Sequence, residues 1–387
     1  MANTLTNLIP DLHEALDVVS RELVGMIPAV RRDTNVARAA VNENVYIPIT
    51  PAASSANNTP GVNAPDTGDQ TIGNTSVTIS KSKHVPVRWN GEETKGLNNS
   101  GLFSSIQADR FAQGMRTLVN EIEADLWAAA YVKASRAYGT AGTAPFGTAG
   151  DFSDFAETAK ILDYNGCPTT DRQLVLGHAA IANLRGKQSI LFKANEAGSS
   201  DMLRNGMTDR IQNFAIRHSH AVNVHTKGAG TGYDFIAAGE AVGQTTLSLE
   251  GGTVNSTGIK AGDIITHAGD SVNKYVVNTG LTATSGDIVI GDPGLLIAGV
   301  DANELTIGNS YTANLAFDRN AVILATRMPA MPEGGDSAED VVQVMDERTG
   351  LMFEVALYKQ FLQNVYHVRV AWGCEAIKSA HIATLLG

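Results

Sequence analysis

Three groups of residues in this sequence have types and spacings that could do chemistry. Asp66-Thr67-Gly68 is a triplet that can place one of two carboxylates sharing a proton, the arrangement of an acid–base hydrolase. Its flanks are polar loop residues rather than the apolar strands needed to hold such a carboxylate, so it reads as a solvated turn. His218, His220 and His225 lie within eight residues, and alternation along a strand would put His218 and His220 on one face. No acidic or thiol ligand stands beside them to complete a metal set, and paired surface histidines are the simpler reading. Gly228-Ala229-Gly230-Thr231-Gly232 neither follows a clear strand nor opens a helix, and it lacks the lysine of a phosphate loop. It reads as a linker at a boundary. Cys167 precedes Pro168 in the turn-like Asn165-Gly166-Cys167-Pro168, not at a helix start that would lower its pKa. The sequence offers no Gly-x-Ser-x-Gly elbow either. No catalytic residue, cofactor-binding residue or metal ligand is therefore assigned, and the chain is expected not to be an enzyme.

The bulk composition agrees with a packed protein that does not depend on a large ligand pocket. Of 387 residues 43% are hydrophobic, enough for a substantial core, while 38 glycines and only 6% aromatics favour turns and small-residue packing. A formal net charge of −11 and a pI near 5.3 make the average surface repel phosphate and anionic lipid. Cys167 and Cys374 are the two cysteines, far apart, which excludes a disulfide framework and fits a reducing compartment. The first seventeen residues lack the basic start and apolar run of a secretory signal, and no stretch approaches the roughly 20 apolar residues of a membrane span. The sequons at Asn57, Asn74, Asn98 and Asn255 are expected to be chance.

The elements that must position everything else follow from periodicity. After Pro10, the apolar residues Leu12, Leu16, Val19, Leu23 and Met26 recur at three and four, predicting an amphipathic helix that Pro28 stops. Such an isolated arm needs another surface for its apolar face. Val45 to Thr50 alternates, and Val77, Ile79, Val85, Val87 and Trp89 form one apolar face, predicting two strands joined through the polar tract Pro51 to Asn74. The pair would form a long flap, and a lone hairpin persists only by lying on something else, a neighbour or its own domain. A spine helix is predicted from Ser104 to Ala137 on the stripe Phe111, Met115, Leu118, Ile122, Leu126, Ala129, with Asp109, Arg116, Glu123 and Asp125 off it. About 34 helical residues would span roughly 50 Å. Gly114 within it marks a bend or a close packing contact.

Downstream, Tyr138 to Gly150 reads as a linker, Phe152, Phe155, Ala159 and Leu162 as a helix, Gln173 to Leu176 as a strand, and His178 to Arg185 as a short helix. From about Lys227 to Thr312 the pattern changes to short runs between glycine turns: Thr246 to Leu249, Asp263 to His267, Tyr275 to Val277, Asp287 to Ile290 and Leu305 to Ile307. These predict an inserted β-barrel or sandwich, with Gly258 to Ile265 as a turn feeding a strand. Strands are then predicted at Val322 to Ala325, Val341 to Met345, Leu351 to Leu357 and Asn364 to Trp372. The fold class is mixed α+β, without the regular alternation of a doubly wound sheet.

An arm, a flap, a spine helix and an α+β unit interrupted by a small barrel, in this order over nearly the whole chain, resemble the major capsid proteins of tailed bacteriophages, which share the Hong Kong 97 type fold. The local residues that carry the resemblance are Gly258 to Ile265, Val368-Arg369-Val370-Ala371-Trp372-Gly373 and Glu375-Ala376-Ile377, and the insertion looks like that of coat proteins of the short-tailed Salmonella-phage type. The resemblance implies an N-terminal arm over 1–44, an E-loop over 45–92, a peripheral domain with the spine over 93–150, an axial domain over 151–226 and 313–387, with part of the latter returning to the peripheral sheet, and the barrel over 227–312. It implies a virion subunit, assembled in the bacterial cytoplasm into hexamers and pentamers, with a scaffolding protein, a portal protein and decoration proteins as partners and packaged DNA enclosed without specific binding. Lys81, Lys83 and Lys95 lie in or beside the flap, but the lysine–asparagine pairing that isopeptide crosslinking needs is not set by the sequence, and no crosslink is assigned. An encapsulin-like compartment shell shares this fold, and the barrel argues against it. An enzyme using Asp66 or the histidine group is the reading from a different class.

Overall fold

The structure is a computed structural model that describes residues 24–49, 53–62, 68–99, 103–188, 210–346 and 349–387. Asp66, Thr67 and most of the predicted N-terminal helix lie outside the described residues. At the end of that prediction Val24 and Gly25 are not helical, and Pro28 lies in the first turn of a separate short helix, Met26–Ala29, with Gly25 as its N-cap. The first turn of a helix has N–H groups without intrahelical acceptors, so a proline there loses nothing. The donors that do exist, on Gly25, Met26 and Ile27, are all taken by the carboxylate of Glu123.

The spine helix runs over Phe103–Val132, 30 residues without a break, and Gly114 causes none. It stops five residues before the predicted end. Arg136–Tyr138 is instead a strand, with Arg136 paired to Ala383 and Tyr275. Helical periodicity continues through Ala130, Ala134 and Ala137, but small apolar residues fit either element, and two waiting strand edges decide the matter.

Against the spine lies a six-stranded sheet in the order Arg31–Ala39, Val322–Pro329, Gln363–Ala376, Met352–Gln360, Asp340–Met345, with Lys81–Asn90 on the other edge of Gln363–Ala376. The 14-residue strand Gln363–Ala376 organises it. One edge pairs with Lys81–Asn90 from Gln363↔Asn90 to Trp372↔Lys81. The other is shared, residues 363–369 with Met352–Gln360 and 371–376 with Val322–Pro329.

The second sheet orders Arg136–Tyr138, Ile382–Leu386, Tyr311–Asp318, Arg172–Leu176, Phe214–His218 and Arg210–Ile211. Its strands are apolar on both faces because both are covered. Leu174, Leu176, Ala316, Ala383 and Leu385 pack with Phe155 and Leu162 of the helix Ser153–Tyr164 and with Ala180, Ile181 and Leu184 of the helix His178–Lys187. The alternate residues Val175, Leu315, Phe317, Ile382 and Leu386 share one core with Leu118, Ile122, Leu126 and Ala130 of the spine and Val368, Val370 and Trp372 of the first sheet. The spine thus fastens the two sheets together.

Between residues 233 and 307 six strands close a small barrel. Ile264–His267, Glu304–Ile307, Tyr233–Phe235, Thr246–Glu250, Gly286–Ile290 and Asp270–Thr279 follow one another, and the last pairs back to the first. Tyr233, Phe235, Leu247, Leu249, Ile265, Tyr275, Val277, Ile288 and Ile290 fill it. The barrel is continuous with the second sheet, because Lys274 and Tyr275 pair with Ala137 and Arg136.

The predicted flap is divided. Val77 to Trp89 is two strands, not one: Gly73–Thr78 pairs with Asn44–Ile49 in an isolated two-stranded sheet, and Lys81–Asn90 belongs to the six-stranded sheet. Between them Ile79 donates its N–H to Glu43 O and Ser80 donates to Trp372 O, so the chain changes partners while its apolar alternation continues.

Candidate assembly surface

The two-stranded flap has a buried root and an uncovered tip. At the root Val77 and Ile79 pack on Ala39, Ile323, Ala325 and Ala371, with Val45 and Ile47 against them. The alternate side chains face solvent, Tyr46 at 65% exposure. The described tip residues 53–62 and 68–72 are all exposed, Val62 and Ile72 included. From Asn44 to Ser80 the sequence holds no lysine or arginine.

Where the chain leaves the flap, cations tie it to the spine. Lys81 Nζ donates to Glu121 Oε1 at 3.2 Å and to Asp125 Oδ1 at 2.8 Å, while Trp372 Nε1 donates to Asp125 Oδ2 at 2.9 Å. Lys83 pairs with Glu121 as well. The hydrogen bond to Asp125 raises Lys81 above its usual value. Both lysines are engaged, and Lys95 lines an open cleft beside Asn98 and Asn99.

Glu123 was expected off the apolar stripe and is buried. Besides three backbone N–H groups it accepts the Ser219 hydroxyl at 2.6 Å. The signal was present in the spacing: Val119 stands four residues before Glu123, and Leu126 and Ala130 three and seven after, so all four share a face.

The histidines divide. His218 Nε2 lies 2.9 Å from His178 Nδ1, and His178 Nε2 lies 3.3 Å from His220 Nδ1. His178, which the sequence offered as a helix start, sits between the other two rings with both nitrogens engaged. The nitrogens face one another instead of a common point, and among the described residues no group of three or more His, Cys, Asp or Glu side chains is arranged to hold a metal ion. Burial, with His178 and Arg185 adding to it, pushes His218 down to about 4. His225 stands apart, its Nε2 2.8 Å from Asp263 Oδ1. Asp263 also accepts from the N–H groups of Gly228 and Lys260.

The glycine cluster is a packing device. A Cβ on Gly228 would lie 2.2 Å from Gly258 O, so only glycine lets these backbones meet where the barrel joins the body. Cys167 is buried and Cys374 partly buried, and burial pushes Cys167 up to about 11 and Cys374 up to about 12, away from nucleophilic use.

No protein-family model matches the chain, and no curated protein does. Among solved structures, the chain is similar to one titled the capsid structure of the cyanophage P-SCSP1u, with 13% identity, 95% of this chain and 89% of that chain covered, and a TM-score of 0.46. It is similar to one titled the asymmetric unit of the bacteriophage PhiM1 mature capsid, with 8% identity, coverage of 100% and 90%, and a TM-score of 0.45. A third, titled Mycobacterium phage Che8, has 12% identity, coverage of 89% and 84%, and a TM-score of 0.43.

Proposed function

We propose that this chain is a major capsid protein that assembles with copies of itself into the icosahedral head shell of a tailed bacteriophage and encloses its packaged DNA. The observation that carries the reading is the flap: a two-stranded ribbon with a rooted base and an exposed tip that shows Tyr46, Val62 and Ile72 to solvent. An isolated ribbon of this kind gains stability only when another surface covers it, and identical copies exchanging such surfaces close a shell. His178, His218 and His220 engage one another, His225 is held by Asp263, and Cys167 is buried, which supports a structural role over a catalytic one.

In this reading 1–44 is an arm, 45–92 an E-loop, 93–150 the peripheral domain with its spine, 151–226 and 313–387 the axial domain, and 227–312 the inserted barrel domain. Hexamers and pentamers form in the bacterial cytoplasm on a scaffolding protein, with a portal at one vertex and decoration proteins outside. An acidic surface fits a wall that DNA must enter and leave. Negative-stain microscopy of the purified chain, alone and with a scaffold, tests this. Uniform shells are expected, and a monomer or dimer under every condition would overturn it.

A further inference from the structure

The hairpin joining Met352–Gln360 to Gln363–Ala376 turns in two residues, Phe361 and Leu362, closed by the Gln360↔Gln363 pair. Two-residue turns with a left-handed residue take glycine or asparagine there, because a side chain at positive φ is strained. Here the left-handed residue is leucine, Leu362 at φ 52°. Phe361 is 89% exposed and Leu362 74% exposed. The fold gains nothing from either side chain, so the turn violates the local rules of both conformation and solubility. Such violations mark functional positions.

The surroundings point to the partner. Beside the turn lies an open cleft lined by Asn90, Asn98, Asn99, Gln363 and Asn364, with Lys95 and Lys359 the two charged residues on its wall and no carboxylate. Two chains of net charge −11 repel over most of their surface, and they approach at least cost where neutral amides, each both donor and acceptor, meet their own kind. An apolar tip inside an amide rim is the anatomy of a contact centre.

We infer that the Phe361–Leu362 turn is a contact at which copies of this chain meet tip to tip, burying the two side chains against their counterparts and joining the amide rims. The inference rests on the self-assembly reading and assigns one of its contacts. It is tested with the double variant Phe361→Asn/Leu362→Gly, which gives the turn its preferred residues and removes the apolar tip. Its thermal midpoint is expected to equal or exceed that of the parent, while the concentration needed for assembly, followed by light scattering, rises at least tenfold. A well-folded variant that assembles at the parent's concentration would overturn the contact and leave the capsid reading standing. A parent chain that never assembles, with or without scaffold, overturns both. Independently of the variant's folding, Phe361→Cys placed in a Cys374→Ser background, because Cys374 is only partly buried while Cys167 is buried, should be joined chain to chain by a short bismaleimide in assembled material. Absence of such links in intact shells would also overturn it.

Discussion

Glu123 is a buried carboxylate whose ligands are three backbone N–H groups from residues 25–27 and the Ser219 hydroxyl. Replacing it by alanine leaves these buried donors without an acceptor, at about 1–3 kcal/mol for each group stranded. Glu123→Ala is therefore expected to lower stability by at least about 3 kcal/mol in denaturant titration. A loss below 1 kcal/mol would show that the anchor is incidental. His218 supplies a pH prediction. Its folded pKa is pushed down from 6.5 to about 4, so between these values the unfolded chain binds more protons. The stability it contributes is complete above pH 6.5 and is lost as the pH falls toward 4. His267 and His367 are lowered in the same direction by burial. The acid-side slope of stability against pH should be shallower in His218→Gln, and an unchanged slope would refute the assignment.

Among the elements, the spine is the one whose behaviour Gly114 was expected to control. A Cβ at Gly114 would lie 3.4 Å from Val85 Cγ1 and 3.9 Å from Val368 Cγ2, ordinary packing distances against the six-stranded sheet. Alanine fits, and the helix is unbroken at this point. Gly114→Ala is expected to raise stability by up to about 1 kcal/mol through helix propensity. A destabilised variant would mean that Val85 and Val368 pack too closely against the helix to admit the methyl group. The barrel behaves differently. Gly258 at φ +60° would put a Cβ 2.1 Å from Leu281 O, and Gly258→Ala should expose the barrel strands to proteolysis before the rest of the subunit. Equal protease resistance in parent and variant would count against this.

For the molecule as a whole, a net charge of −11 per subunit opposes association at long range. Raising the salt from about 0.01 M to about 0.15 M shortens the screening length from about 30 Å to about 8 Å. The concentration at which shells appear should accordingly fall as salt is added, measured by light scattering. Assembly that weakens with salt would instead mean that the contacts depend on opposite charges.

The sequence by itself determined many of the elements: the stripe from Phe111 to Leu126 specifies a helix, and each predicted run in the barrel is a strand, because local period and turn residues set those outcomes, whereas the strands Arg31–Ala39, Tyr233–Phe235, Tyr311–Asp318 and Ile382–Leu386 went unread. What it could not determine was partnership. One unbroken alternation from Val77 to Trp89 serves two different sheets, since the period of a strand says which residues face inward and not which edge they bind. Ala134 and Ala137 continue a helical pattern, but Arg136–Tyr138 pairs with two distant strands. Glu123 was visible on the apolar face by spacing, yet its purpose depended on donors about a hundred residues away. His178 joined His218 and His220 only because the parallel pairing of Arg172–Leu176 with Phe214–His218 ends at one place. Hydrogen bonds between residues remote in sequence leave no period behind them, and only the tertiary structure decided those.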